Sequence, residues 1–276
     1  MRVLSLILSA VFICAGHVRA QAPAFDAASV KPNVSDAPSL FQPRRNGSLN
    51  VVNTPLRTLI LRAYGLHQSR LIGAPAWIDS TRFDVDARVD PPPPTGPDGL
   101  MPLLQTLLAE RFHLRVHREE RVLPAYILTF ARRDRRLGAQ IVPTRADCTG
   151  NNPISEDDVR AKLLNGWPPC GMTTVLSTVD AADAMKRRVR RSGVTMDDFA
   201  RELQTNVDRP VVDRTGLDGR FDIEYTFIPP QATADATANL PTLLVALEEQ
   251  LGLKLEAQRT AVPVVVIDSI EPLIVN

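Results

Sequence analysis

Arg82-Phe83-Asp84-Val85 returns 138 residues later as Arg220-Phe221-Asp222-Ile223. The correspondence extends outward from this pair. Leu107 to Val116 (LLAERFHLRV) returns in pattern as Ala246 to Leu255 (ALEEQLGLKL) at an offset of 139. Leu123 to Leu128 (LPAYIL) returns as Val262 to Ile267 (VPVVVI) at the same offset. Upstream, Thr54 to Leu59 (TPLRTL) faces Thr195 to Ala200 (TMDDFA) at 141. Four matches in one order at nearly constant offset are the signature of an internal repeat. The sequence therefore reads as two copies of one unit, 47–133 and 185–276, joined by a Pro- and Gly-rich linker, 134–184. Residues 21–46 form an N-terminal arm, in which 25–32 reads as a short strand added to a sheet edge.

Hydrophobic periodicity sets the elements inside each unit. In the first, Ser48 to Val52 reads as a strand, and Thr54 as an N-cap with Pro55 at the first helical position. Leu56, Leu59, Ile60 and Ala63 fall at i, i+3, i+4 and i+7, one apolar helical face that stops at Gly65. Phe83, Val85 and Ala87 alternate with Asp84, Asp86 and Arg88, a strand over 82–89 with one wet face. Leu100 to Arg111 reads as a second helix, and 113–117 with 125–131 as a hairpin-like pair of strands. The second unit repeats the plan. Thr195 with Asp198 forms a capping box, Phe199 and Leu203 a buried helical face, and Val211-Val212 a short strand. Residues 221–227 form the next strand and 240–251 the next helix, closed by Gly252. Residues 254–257 and 264–270 end the unit. The expected class is α+β: two tandem β-α-β-β-α-β-β-like units with helices packed on one face of each sheet.

The chain ends and composition bound the setting. Arg2, an apolar run from Val3 to Ala15, and Val18-Arg19-Ala20 together read as a secretory signal peptide over 1–20. That run is too short to span a bilayer as a helix, and no later stretch is long and apolar enough for a span. An uncleaved N-terminal anchor is the alternative. The expected location is periplasmic or secreted. Lys+Arg 32 against Asp+Glu 31 gives a net charge of +1, so no whole-molecule field draws the chain to nucleic acid. Of the three cysteines, Cys14 leaves with the signal. Cys148 and Cys170 in an exported chain read most simply as a disulfide, with free thiols as the alternative.

Residues that could carry chemistry were each set against a structural role. His113 and His117 share a wet strand face with Arg115, whose charge repels a cation, so no metal site is expected. Asp213-Arg214-Thr215-Gly216 lacks the second carboxylate that aspartic chemistry needs, and reads as a turn. No nucleophile elbow or phosphate-cradling glycine loop occurs, and no catalytic residue or cofactor is expected. The basic run Arg187, Arg188, Arg190 and Arg191 is a candidate anion-binding strip, its alternative being a solvated flank. Phe83 and Phe221 are expected in the core, Gly219 in the turn before the second motif. Asp84→Asn and Asp222→Asn are expected to cost little unless a turn depends on them.

Several stretches match a known family: Phe25 to Pro32, Ala63-Tyr64-Gly65-Leu66, Gly73 to Trp77, Pro169-Cys170-Gly171, Pro210 to Leu217 and Leu251 to Glu256. With the paired Arg-Phe-Asp segments they resemble the soil-associated acidobacterial (Solibacter-type) exported proteins, a family without assigned function. The resemblance implies export and supplies no catalytic residues. Related domains joined to membrane metallopeptidases of the antibiotic-sensor type imply a sensing or binding role. Each unit is also similar to the short N-terminal domains of secretins and TonB-dependent receptors, which implies docking to a partner protein. The resulting expectation is a non-catalytic binding, docking or sensing module for an envelope or extracellular partner. The alternative is an exported hydrolase with carboxylates between the units.

Overall fold

A computed structural model of the chain describes residues 22–93, 99–144, 148, 167–171, 173–179, 185–229 and 241–273. The signal peptide expected over 1–20 and most of the segment 134–184 lie outside these residues. Among the described residues the strands form three four-stranded sheets. The first contains β1 (Ala27–Asn33), β2 (Leu40–Pro43), β3 (Ser48–Pro55) and β5 (Arg82–Arg88) in the order β1-β5-β3-β2, all antiparallel. The second contains β4 (Leu71–Ile72), β6 (Arg115–Phe130), β10 (Val211–Asp213) and β12 (Leu253–Ser269) in the order β10-β6-β12-β4. The third contains β7 (Ile141–Pro143), β8 (Thr173–Val179), β9 (Met185–Val194) and β11 (Phe221–Phe227) in the order β7-β11-β9-β8, again antiparallel. The chain is α+β. The arm 21–46 supplies both edge strands of the first sheet, and the segment 134–184 supplies both edge strands of the third.

Each outer sheet packs against helices through one apolar face. In helix α1 (Leu56–Tyr64) the residues Leu56, Leu59, Ile60 and Ala63 are buried, and Gly65 closes the helix in the left-handed conformation at φ 60°. Helix α2 (Trp77–Ser80) adds Ile78, and α3 (Leu100–Phe112) adds Leu104, Leu108 and Phe112. The Phe83 and Phe112 rings meet edge to face at 4.9 Å in this first core. In the second core, α4 (Met196–Leu203) buries Met196, Phe199, Ala200 and Leu203 at the same spacing as α1. Helix α5 (Leu243–Ala246) continues as a π turn over Leu247–Leu251, which Gly252 closes at φ 68°. Phe199 packs edge-on to Tyr225 at 5.9 Å.

The central sheet joins the two cores. Strands β6 and β12 pair antiparallel from Phe130–Leu253 at one end to Arg115–Ser269 at the other. Val265 and Ile267 are buried in the first core, Leu128 and Leu253 in the second. Strand β10 adds in parallel at Tyr126 to Leu128, and β4 adds in parallel at Val265 and Val266. Thus β4, which follows α1, completes the ribbon against β12, while β10, which follows α4, completes it against β6.

Two local expectations are corrected here. The hairpin-like pair expected at 113–117 and 125–131 is one unbroken strand, and the two segments expected at 254–257 and 264–270 are likewise one strand. No Gly- or Asn-containing turn lies between 117 and 125 to reverse the chain, and pairing with the other long strand holds both extended. Nor does Thr54 cap α1. It is buried in β3 opposite Phe83, its Oγ1 donates to the Leu40 and Val52 carbonyls, and the helix begins at Leu56. Thr195 does cap α4, its Oγ1 accepting from the Asp198 N–H at 3.2 Å.

Candidate functional site

Phe83 and Phe221 lie in the two cores at 1% and 5% exposure. The charged residues beside them do more than face solvent. Opposite Arg82 to Val85, strand β3 carries one extra residue, so that 51–54 faces only 83–85. The bulge contains Asn53 at φ +44°. Asp84 Oδ1 accepts the Asn53 N–H at 2.8 Å and the Asn33 Nδ2–H at 2.7 Å, while Arg82 Nη1 donates to the Asn53 carbonyl at 2.8 Å. The second motif does the same. Residues 191–194 of β9 face 221–223, with Gly193 at φ +64°. Asp222 Oδ1 accepts the Gly193 N–H at 2.9 Å, and Arg220 Nη1 donates to the Gly193 carbonyl at 2.7 Å. Ser192 and Thr144 hydroxyls donate to the same Asp222 oxygen. In both motifs Arg and Asp therefore clamp the two polar groups of a bulge residue, leaving neither orphaned. The small cost expected for Asp84→Asn and Asp222→Asn is conditional on no turn depending on them, and here a bulge depends on each.

Cys148 and Cys170 lie at disulfide distance, with their Cα atoms 5.5 Å apart. They press on Gly193, where a Cβ would stand 2.3 Å from Cys148 Sγ. Gly219 takes φ +97° in the turn before Arg220, with open space about it. The basic strip is largely engaged within the fold. Arg190 Nε donates to Glu224 at 2.6 Å and its guanidinium lies over the Trp167 ring, while Arg188 approaches Glu224 at 3.6 Å. Arg191 is buried and pairs with Glu202. Arg187, partly exposed, lies in the same strand opposite Phe227. Three of the four arginines, Arg188, Arg190 and Arg191, thus have a carboxylate neighbour within the fold. His113 ends α3 in the left-handed conformation and meets Glu271 at 3.0 Å, while His117 meets Asp268 at 2.7 Å. Asp213 Oδ1 accepts the Thr215 N–H at 2.9 Å, the turn expected there.

A concave site opens instead beside the central ribbon. This cleft of about 330 Å³ is bounded by Tyr64 to Leu66, by Arg70, by Arg118 of β6 and by Asp197 and Arg201 of α4. Its apolar wall is Val211 and Val212 of β10 with Val262 to Val265 of β12. Gly65 ends α1 so that the chain turns back across the ribbon, and Arg70 Nε then donates to the Pro263 carbonyl at 2.7 Å. Gln204 Nε2 donates to the Gly65 carbonyl at 3.2 Å and ties the end of α4 to the end of α1.

The charge inside the cleft is unbalanced. Burial lowers the proton affinity of Arg70, and Arg118 and Arg201 lower it further, with Asp197 opposing. Burial raises the Tyr64 pKa, with Arg118 opposing. Arg201 pairs with Asp198 at 2.5 Å, whereas no described carboxylate lies within ion-pair distance of Arg70 or Arg118. Asp197 is the one carboxylate lining the cleft. Guanidiniums hold anions through several fixed donors and do not give up protons at neutral pH, so this lining holds a ligand better than it moves a proton. No group of three metal-ligating side chains occurs among the described residues.

The cleft as a site escaped the sequence reading. Gly65 enters it as a helix stop, Tyr64 and Leu66 as part of a family match, and Val211-Val212 as a short strand. Arg70, Arg118 and Arg201 are each separated by dozens of residues, and no local motif links them.

A family model described as "Protein of unknown function (DUF3738)" matches residues 57–270. No curated protein and no solved structure matches the chain.

Proposed function

The chain belongs to the DUF3738 family of proteins of unknown function, and on that premise we propose that it is an exported, non-catalytic binding module made of two copies of one unit. The binding site is the cleft beside the central ribbon. The unneutralised guanidiniums of Arg70 and Arg118 against a wall of valines carry this reading. Concave sites that combine an apolar wall with a few convergent polar groups are the usual form of ligand sites.

Duplication is supported by the strand order. The first sheet runs β1-β5-β3-β2 and the third β7-β11-β9-β8, the same order when each sheet is read in chain sequence. The Arg–Asp clamp on a positive-φ bulge residue recurs at the same place in both. Export is supported by the N-terminal segment 1–20 and by two cysteines at disulfide distance, a pairing that persists in oxidising compartments. No helix among the described residues is long and apolar enough to cross a membrane. The partner then belongs to the envelope or the extracellular medium.

Native purification from the exporting host, followed by denaturation and mass spectrometry of released small molecules, tests the reading. The wild-type chain should release a ligand that Val212→Trp, which fills the cleft from its partly exposed wall, does not. Equal release from both proteins, with circular dichroism showing both folded, would refute it. Turnover of chromogenic ester, amide, glycoside or phosphoester substrates above buffer would instead favour a hydrolase.

A further inference from the structure

We infer that the cleft takes a small organic carboxylate with an apolar body, its acid group held by Arg70 and Arg118 and its chain laid against Leu66, Val212 and Pro263. The inference rests on the reading of the cleft as the binding site and names the chemistry of its ligand.

Three observations fix that chemistry. The first is sign. Three arginines and one aspartate line the cleft, and one of the arginines is already paired with Asp198 outside the lining. A net positive, partly enclosed surface selects an anion and raises its local concentration.

The second is donor supply. A guanidinium carries five N–H donors in a fork that matches a carboxylate. Arg70 uses its Nε on the Pro263 carbonyl, and no other described residue takes a hydrogen bond from it. Arg118 makes no hydrogen bond or ion pair with any described residue. These two side chains therefore bring unspent donors to one concavity. The Pro263 bond also fixes the direction of the Arg70 side chain, so its fork is held before a ligand arrives.

The third is the wall. Val211, Val262, Val264 and Val265 are buried, and Leu66 and Val212 partly so. A small, fully hydrated anion such as inorganic phosphate would leave Leu66, Val212 and Pro263, the exposed part of this lining, facing water. A carboxylate carrying an aliphatic or aryl body covers them, which adds the gain of apolar burial to charge pairing. The volume of about 330 Å³ stands at the small end of ligand pockets and suits a compact acid.

Isothermal titration of the disulfide-intact mature chain with octanoate, phenylacetate, octylamine and inorganic phosphate tests the inference. Octanoate or phenylacetate should bind, while octylamine should not, and phosphate should bind at least tenfold more weakly. Arg118→Gln and Arg70→Gln should each weaken the carboxylate about tenfold or more. Arg44→Gln, an exposed arginine outside the cleft lining, should leave it unchanged. Arg118 makes no internal bond, so its variant keeps the fold even if loss of the Arg70–Pro263 bond does not. Carboxylate binding unchanged in Arg118→Gln overturns the inference, as does phosphate binding equal to octanoate, or no binding of either acid. If neither acid binds but a released ligand is still lost from Val212→Trp, the ligand class is wrong and the cleft remains the site. If no ligand depends on Val212, the binding reading fails as well.

Discussion

Replacing Asp84 by alanine removes the acceptor that holds the β3 bulge closed. Its Oδ1 takes two hydrogen bonds, from the Asn53 N–H at 2.8 Å and from Asn33 Nδ2 at 2.7 Å. Asn53 is 4% exposed, so the abandoned N–H cannot recover a full water partner. A bond to a charged group contributes about 1.5–3 kcal/mol, and an orphaned buried donor costs about 1–3 kcal/mol. Asp84 is only partly buried, so the lower end applies to each bond, and Asp84→Ala should cost about 2–4 kcal/mol. Asp222→Ala should cost more, because three donors, the Gly193 N–H and the Ser192 and Thr144 hydroxyls, converge on its Oδ1. Asp84→Asn keeps an acceptor oxygen and loses only the charge, so it should cost about half as much as alanine. Both losses are a large share of the roughly 5–15 kcal/mol that stabilises a domain. Urea unfolding under non-reducing conditions, with circular dichroism as the readout, gives these differences directly. The clamp reasoning is refuted if Asp84→Ala and Asp222→Ala both unfold within about 0.5 kcal/mol of wild type, the range of ordinary surface changes.

Other expectations concern the cysteine pair, the first core and a buried carboxylate. Gly193→Ala should destabilise the protein and expose thiols, since the new Cβ would stand 2.3 Å from Cys148 Sγ at a residue with φ +64°; a thiol titration equal to wild type would contradict this. Thiol titration of the unfolded, unreduced mature protein should find no free thiol, and two would refute the disulfide. Phe83→Ala should cost about 3–5 kcal/mol in the same urea assay, because the ring is 1% exposed and packs on Phe112. Burial raises the pKa of Glu202, against the pull of Arg191 and Thr173. A carboxyl whose folded pKa lies above its unfolded one stabilises most when protonated. Its contribution is complete below the unfolded value near 4.5 and is lost as pH rises through the folded value. The stability of wild type minus that of Glu202→Gln should therefore fall as pH rises above about 4.5; a rise would show that the Arg191 pair outweighs burial.

The sequence disclosed what is periodic and withheld what is assembled from distant pieces. Alternation of Phe221, Ile223, Tyr225 and Phe227 marks β11, and the i, i+3, i+4, i+7 spacing from Leu56 to Ala63 marks α1, because each pattern follows from one face meeting one core. The long ribbon is hard to see in the sequence because Pro124 and Pro263 fall inside its two strands. Along that stretch each long strand has a partner on one side only, since β10 reaches only Tyr126 to Leu128 and β4 only Val265 and Val266. A missing N–H is tolerated at such an edge. The clamp was hidden because a bulge is a mismatch between two strands, and neither strand shows it alone. Arg191 and Glu202 illustrate the same limit. One is in a basic run and the other on a helix, and only the fold makes them partners.

The most direct test of the cleft as the binding site is a two-dimensional amide NMR titration of the mature protein with octanoate. Shifts should concentrate at Tyr64, Gly65 and Leu66 and at Val212 and Val264, and should vanish in Arg118→Gln. Shifts confined to the strip from Arg187 to Arg191, or spread evenly over the surface, would contradict the account.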